Sequence, residues 1–251
     1  MWPVNLEVAG LHLARQVIYA TLAEVFLQLP TTELLQRQTA TGTLVWFPLE
    51  IDRPEVEEGL GLVRQWEASL ESKSLTEVVR ELRLDYTRLF MGPGKVLAPP
   101  WESVYRTEER LLFREPTMQV CEFYRRHGLE VPRLNREPDD HFGLELAFMA
   151  VLAERTISAL EKAGEPMSQA SGGTVEAYRC GKGEVGDGLV EVDYLLREQH
   201  RFLQEHLGQW VKAFTGDVGQ YATTGYYRGM ALVARGFVLE DNEWLGSLID
   251  L

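Results

Sequence analysis

Glu137, Asp139, Asp140 and His141 crowd into one short stretch, and Glu145 follows His141 by four positions, a spacing that brings both side chains to one face of a helix. Carboxylates and an imidazole so placed can do three things. Asp140, His141 and Glu145 could ligate a divalent cation, the set a helical metal-dependent hydrolase would need. Asp139 could cap a helix whose first turn favours negative charge. The same groups could accept short charge-assisted hydrogen bonds from arginines of a foreign chain. Other chemistries lack their context. Ser103 has no histidine nearby in sequence and no glycine elbow around it. His200 and His206 stand six apart and share no helix face. The run Gly181-Lys182-Gly183-Glu184-Val185-Gly186 has the letters of a dinucleotide-binding pattern without a strand before it or a helix after it. Cys121 and Cys180 make neither a disulfide framework nor a zinc site. No cofactor and no metal are expected.

A second constellation is aromatic. Tyr86, Phe90, Trp101 and Tyr105, with Glu102 among them, flank a stretch stiffened by Pro99 and Pro100. Rings on a proline-stiffened backbone make an apolar wall at low entropic cost, and carboxylates beside it would fix arginine. The combination suits a peptide that carries arginines next to an apolar stretch.

The elements that must position these residues read as helices throughout. Apolar residues at Leu11, Ala14, Val17, Ile18, Leu22, Val25, Phe26 and Leu29 recur at helical period, and Pro30 ends that run. Thr31 or Thr32 caps a short second helix, Pro54 opens a third, and Ser74 a fourth that ends near Gly92-Pro93-Gly94. Residues 97–101 form an extended crossing, and a helix over 117–127 closes at Gly128. The strongest period covers 139–163, with Phe142, Leu146, Met149, Leu152, Ile157 and Leu160 inward. Helices over 189–214 and 221–234 complete the set. No two-residue alternation with hairpin turns occurs, so the fold class is all-α.

At 251 residues the chain can bury a substantial core. The expected organisation is a single helical domain of two packed lobes, 1–134 and 142–251, joined by a hinge at 135–141, with a glycine-rich loop over 164–188. A net charge of -13 repels phosphate backbones and anionic headgroups, which argues against nucleic acid and favours a cationic partner. Without a secretory pattern near Met1 or an apolar run of membrane-spanning length, no stable membrane insertion and a cytoplasmic address are expected.

Three blocks then carry a resemblance: Tyr86-Thr87-Arg88-Leu89-Phe90 with Gly92-Pro93, Pro99-Pro100-Trp101-Glu102-Ser103-Val104-Tyr105, and Glu137-Pro138-Asp139-Asp140-His141 leading into Glu145-Leu146. From about 84 to 152 the chain resembles the TorD/DmsD/NarJ type of redox-enzyme maturation chaperone. The resemblance implies an all-helical binding protein, not an enzyme. Its implied partner is the catalytic subunit of a molybdoenzyme that leaves by the twin-arginine route. The chaperone would hold that subunit's signal peptide or apoprotein until the molybdopterin cofactor is loaded, and so delay export. Carried over by motif, Asp139, Asp140 and His141 become recognition residues at the hinge, joined by Trp101, Glu102 and Ser103. A monomer or a homodimer is compatible with the resemblance.

Overall fold

The computed structural model describes residues 8–42, 47–92, 94–131, 137–163 and 187–249. Among them every regular element is helical and there is no strand, so the all-α expectation holds. The glycine-rich run at 181–186, Cys180 and hinge positions 135 and 136 lie outside the described residues.

The order is α1 (Val8–Leu27), α2 (Thr32–Thr41), α3 (Pro54–Ala68), α4 (Leu75–Tyr86), α5 (Glu102–Arg106), α6 (Glu115–Arg126), α7 (Phe142–Lys162), α8 (Asp187–Phe202), α9 (Gly208–Tyr221) and α10 (Gly225–Ile249). A π-helical turn, Thr87–Met91, extends α4, and another, Leu203–Leu207, joins α8 to α9. Local chemistry sets the starts. Thr31 accepts the Leu34 amide at 3.1 Å. Ser74 and Glu77 form a reciprocal capping box, each side chain taking the other's amide, and proline opens α3. Gly128, with φ of 66°, takes the left-handed turn after α6.

Two readings of the pattern are corrected. The last helix runs to Ile249 rather than ending near Ala234, because its glycines mark close approach to a neighbour instead of a break. A Cβ on Gly229 would stand 2.6 Å from the Gly59 carbonyl, and one on Gly59 would meet the Gly229 carbonyl at the same distance. Glycine at both positions lets α3 and α10 touch backbone to backbone. The inward stripe of α1 includes the polar His12 and Arg15, both fully buried, in place of the half-exposed Leu11 and Val17. Arg15 pairs with Asp241 of α10 at 2.6 Å and reaches Gln199 of α8 at 2.7 Å, so an ion pair joins elements that an apolar stripe alone would have joined.

α1 lies along α7 and α3 along α10, so helices from both sides of residues 135–141 contribute to one hydrophobic core. Its centre is aromatic: Phe142 packs against Phe214 with ring centroids 4.5 Å apart, against Phe26 at 5.1 Å and against Trp210 at 5.2 Å. Burying one such ring contributes roughly 1.5–3 kcal/mol, and the edge-on arrangements add to that. This cluster is the floor on which the polar blocks rest.

Candidate functional site

Pro100, Trp101 and Glu102 run antiparallel to Asp140, His141 and Phe142. The Glu102 amide donates to the Asp140 carbonyl at 2.9 Å, and the Phe142 amide to the Pro100 carbonyl at 2.8 Å. Each segment then starts a helix. Proline leaves the first segment extended, which is the conformation a bridge needs. Asp140 completes the first start, its Oδ2 accepting the Ser103 amide at 2.8 Å at the beginning of α5. His141 completes the second as the N-cap of α7, its Nδ1 accepting the Gly143 amide at 3.0 Å. The cap is therefore His141, not Asp139, and α7 begins three residues later than the acidic cluster suggested. An imidazole that accepts through Nδ1 must be unprotonated there, and burial, which brings the His141 pKa down to about 3, keeps it so.

Behind the bridge lies a buried acidic cluster. Glu102 is fully buried, with His206 Nδ1 3.0 Å from its carboxyl and Arg106 donating to it. Glu145 is equally buried and accepts the Trp210 indole N–H at 3.1 Å. Burial drives its pKa well up, and Glu102 and then Asp140 add repulsion. Burial also raises Asp140, against the hydrogen bonding of Ser103.

Of the residues singled out in the sequence, the fold brings Trp101, Glu102, Ser103, Glu137, Asp139, Asp140 and His141 together around this bridge. Glu102, Ser103, Asp140 and His141 are buried within it. Glu137 is exposed, and Asp139 and Trp101 are half-buried. The Trp101 indole stands beside the Glu137 carboxyl and offsets part of the rise in pKa that its partial burial causes. Tyr105 is half-buried too, stacked on Trp210 and donating to Asp217 at 2.9 Å. Tyr86 and Phe90 do not wall an open groove. Both are in the core, Phe90 between Tyr86 and Phe214, with the Tyr86 hydroxyl on the Phe26 carbonyl.

The donor set of a metal-dependent hydrolase is not assembled. His141 Nδ1, Asp140 Oδ2 and Glu145 Oε2 each hold an N–H of the protein. Among the described residues no group of three or more histidine, cysteine or acidic side chains could hold an ion.

Sequence reasoning missed Asp85 and Arg88, which grip the turn between α9 and α10. Asp85 accepts the Thr223 and Thr224 amides at 3.0 and 2.8 Å, and Arg88 donates to the Tyr221 carbonyl. It also missed a cleft of about 950 Å³ between α6 and the α8–α9 rod, lined by Arg106, Glu122, Phe123, Arg201, Glu205 and His206 among others. Two residues singled out in the sequence bear on it: His206, which lines the cleft, and Glu102, whose carboxyl touches the cleft's Arg106 and His206.

The cap geometry predicts that Asp140→Ala lowers the free energy of unfolding by about 1–3 kcal/mol, the cost of leaving a buried amide without its acceptor. Asp140→Asn, which keeps an acceptor oxygen, recovers part of the loss. Urea titrations of the three proteins with coincident midpoints would remove Asp140 from this role.

Fold and site together define an all-helical module whose polar blocks are joined face to face at the start of two helices. The chain belongs to the nitrate reductase delta subunit family, whose model matches residues 53–216. It is 28% identical over 199 residues to the "Chaperone protein TorD" of Vibrio cholerae serotype O1, covering 75% of this chain and 78% of that one. It is 23% identical over 250 residues to the protein of the same name from Shewanella pealeana, covering 97% and 95%. The "Probable Tat proofreading chaperone DmsD" of Haemophilus influenzae is 23% identical over 179 residues, covering 68% and 69%. The resemblance carried by the three sequence blocks is thereby borne out. Among the described residues no helix is long and apolar enough to cross a membrane.

Proposed function

We propose that this protein is a maturation chaperone of a molybdoenzyme, not itself an enzyme, and that it holds the twin-arginine signal peptide or a segment of the apoprotein of the catalytic subunit while cofactor is inserted, delaying export from the cytoplasm. The relatives matched are named as chaperones, one of them for proofreading of Tat substrates. The observation that carries the reading is the antiparallel bridge between Trp101 and His141, which joins two of the blocks and leaves Glu137, Asp139 and Trp101 within reach of another chain. In this reading the carboxylates of Glu137 and Asp139 take the arginines and the Trp101 ring covers their stems. The buried Glu102, Ser103, Asp140 and His141 act through the backbone, by holding those three side chains in register.

A synthetic peptide with paired arginines ahead of a leucine–alanine segment tests this by calorimetry. Glu137→Gln together with Asp139→Asn is expected to weaken its binding roughly three- to tenfold, the range for partly exposed charge-assisted contacts. Raised salt should weaken the wild-type complex, because charges are screened beyond about 8 Å at physiological ionic strength. Equal affinity of wild type and variant, independent of salt, would contradict the proposal.

A further inference from the structure

The connection between α5 and α6 exposes apolar side chains in a row. Leu111 is 50% exposed, Phe113 67% and, on the first turns of α6, Met118 67%. Isolated apolar side chains on a surface need no explanation, whereas a contiguous group beside a cleft does. The backbone holds the group outward. Arg110 and Phe113 have φ of 51° and 56°, in the left-handed region that residues with side chains rarely enter, and Arg110 is anchored over the Tyr105 ring at 5.6 Å.

Arginines and glutamates line the adjoining cleft in equal number, but the charges it leaves out of ion pairs among the described residues are of one sign. Its arginines are engaged by the protein's own carboxyls: Arg106 by Glu102, Arg126 by Glu198, and Arg201 by Glu205. Arg126 and Arg201 also lie against Phe123, at 4.1 and 5.4 Å. Glu115 and Glu122, two turns apart on the same side of α6, are in no ion pair among the described residues. An occupant that complements this face is apolar and cationic.

We infer that the row Leu111–Phe113, Met118 and the acidic side of α6 form a docking surface for an apolar client segment with basic residues at its flank. Resting on the chaperone reading above, which gives the paired arginines to Glu137 and Asp139, the inference assigns the apolar half of the client to this face and a further basic residue at the far end of that half to Glu115 and Glu122. A second copy of the chain fits worse, since two chains of charge -13 repel, and an anionic lipid surface is repelled likewise.

The paired-arginine leucine–alanine peptide, extended by one lysine after its apolar segment, tests it, beside a control peptide in which serine and glycine replace the leucines and alanines. Leu111→Ser with Phe113→Ser should lower affinity for the first peptide roughly tenfold or more, because two apolar side chains no longer cover it, and leave affinity for the control within about twofold. Glu115→Gln with Glu122→Gln should reduce the salt dependence of binding. Unchanged affinity in the Leu111/Phe113 variant, where the Glu137/Asp139 variant does weaken binding, overturns this inference and leaves the chaperone reading standing. Absence of binding by the wild-type protein overturns both. Sedimentation decides the remaining case: a wild-type dimer that Phe113→Ser dissociates assigns the face to a second copy and overturns the inference.

Discussion

Asp85→Ala is expected to lower the free energy of unfolding by about 2–4 kcal/mol, a large part of what a domain of this kind possesses. The side chain is fully buried and has four partners. Oδ2 accepts the Thr223 amide at 3.0 Å, the Thr224 amide at 2.8 Å and the Thr224 hydroxyl at 2.8 Å, while Arg88 lies 3.3 Å from Oδ1. Alanine would leave the Thr223 and Thr224 amides without their acceptor on a half-buried turn, and each such donor costs about 1–3 kcal/mol, towards the lower end where water can replace the carboxyl. The damage extends beyond the turn, because Thr224 stands at the start of α10 with its hydroxyl 3.4 Å from the Tyr227 amide. α10 in turn carries the close contact with α3. Asp85→Asn separates charge from geometry: its amide oxygen can accept, but its NH2 group faces donors, so an intermediate loss is expected. Urea denaturation of both variants is the measurement, and an Asp85→Ala unfolding free energy within about 0.5 kcal/mol of wild type would show that the turn holds without it.

Asp85 also shows where reading the sequence reaches its limit. The block it precedes, Tyr86 to Phe90, was conspicuous, and its helical period was legible. That it grips residues 221–224 was not, because those partners are more than 130 positions away and nothing local marks them. The helix starts were legible at Thr31, Pro54 and Ser74, where hydroxyl or proline chemistry acts within one turn. At His141 local chemistry misled, since Asp139 and Asp140 just upstream are better caps by type than an imidazole. Tertiary pairing with residues 100–102 decides the matter by fixing the backbone of 140–142 as extended. Period alone likewise placed Ile157 inward, where the structure buries Thr156, whose hydroxyl is bonded to the Leu152 carbonyl and to Gln199. The candidate site was legible as a set of residues that belong together. Which of them reach the surface was not, because that depends on how α5, α6 and α7 cover them.

The buried acids lead to the second large effect. Glu145→Gln is expected to stabilise the protein at neutral and alkaline pH while changing little near pH 5. The folded carboxyl, raised well above its ordinary 4.5 first by burial and then by Glu102, keeps its proton where the unfolded chain releases it. A group raised in this way contributes its stability fully below the unfolded pKa, and the contribution falls as pH rises towards the folded pKa. The slope over that window is about 1.4 kcal/mol per pH unit. Glutamine has no proton to release, and its amide oxygen can still accept the Trp210 N–H. Titrating groups that do not face Glu145 cancel in the difference between the two proteins, whereas Glu102 and Asp140, which face it, do not. Unfolding free energies at pH 5 and pH 8 should therefore diverge in favour of the variant at the higher value, the gap opening by up to about 1.4 kcal/mol per pH unit. Parallel stabilities across that range would mean that Glu145 ionises inside the fold. In that event Glu145 would place a further negative charge beside Glu102 and Asp140 behind the bridge, with the Arg106 guanidinium left to offset it.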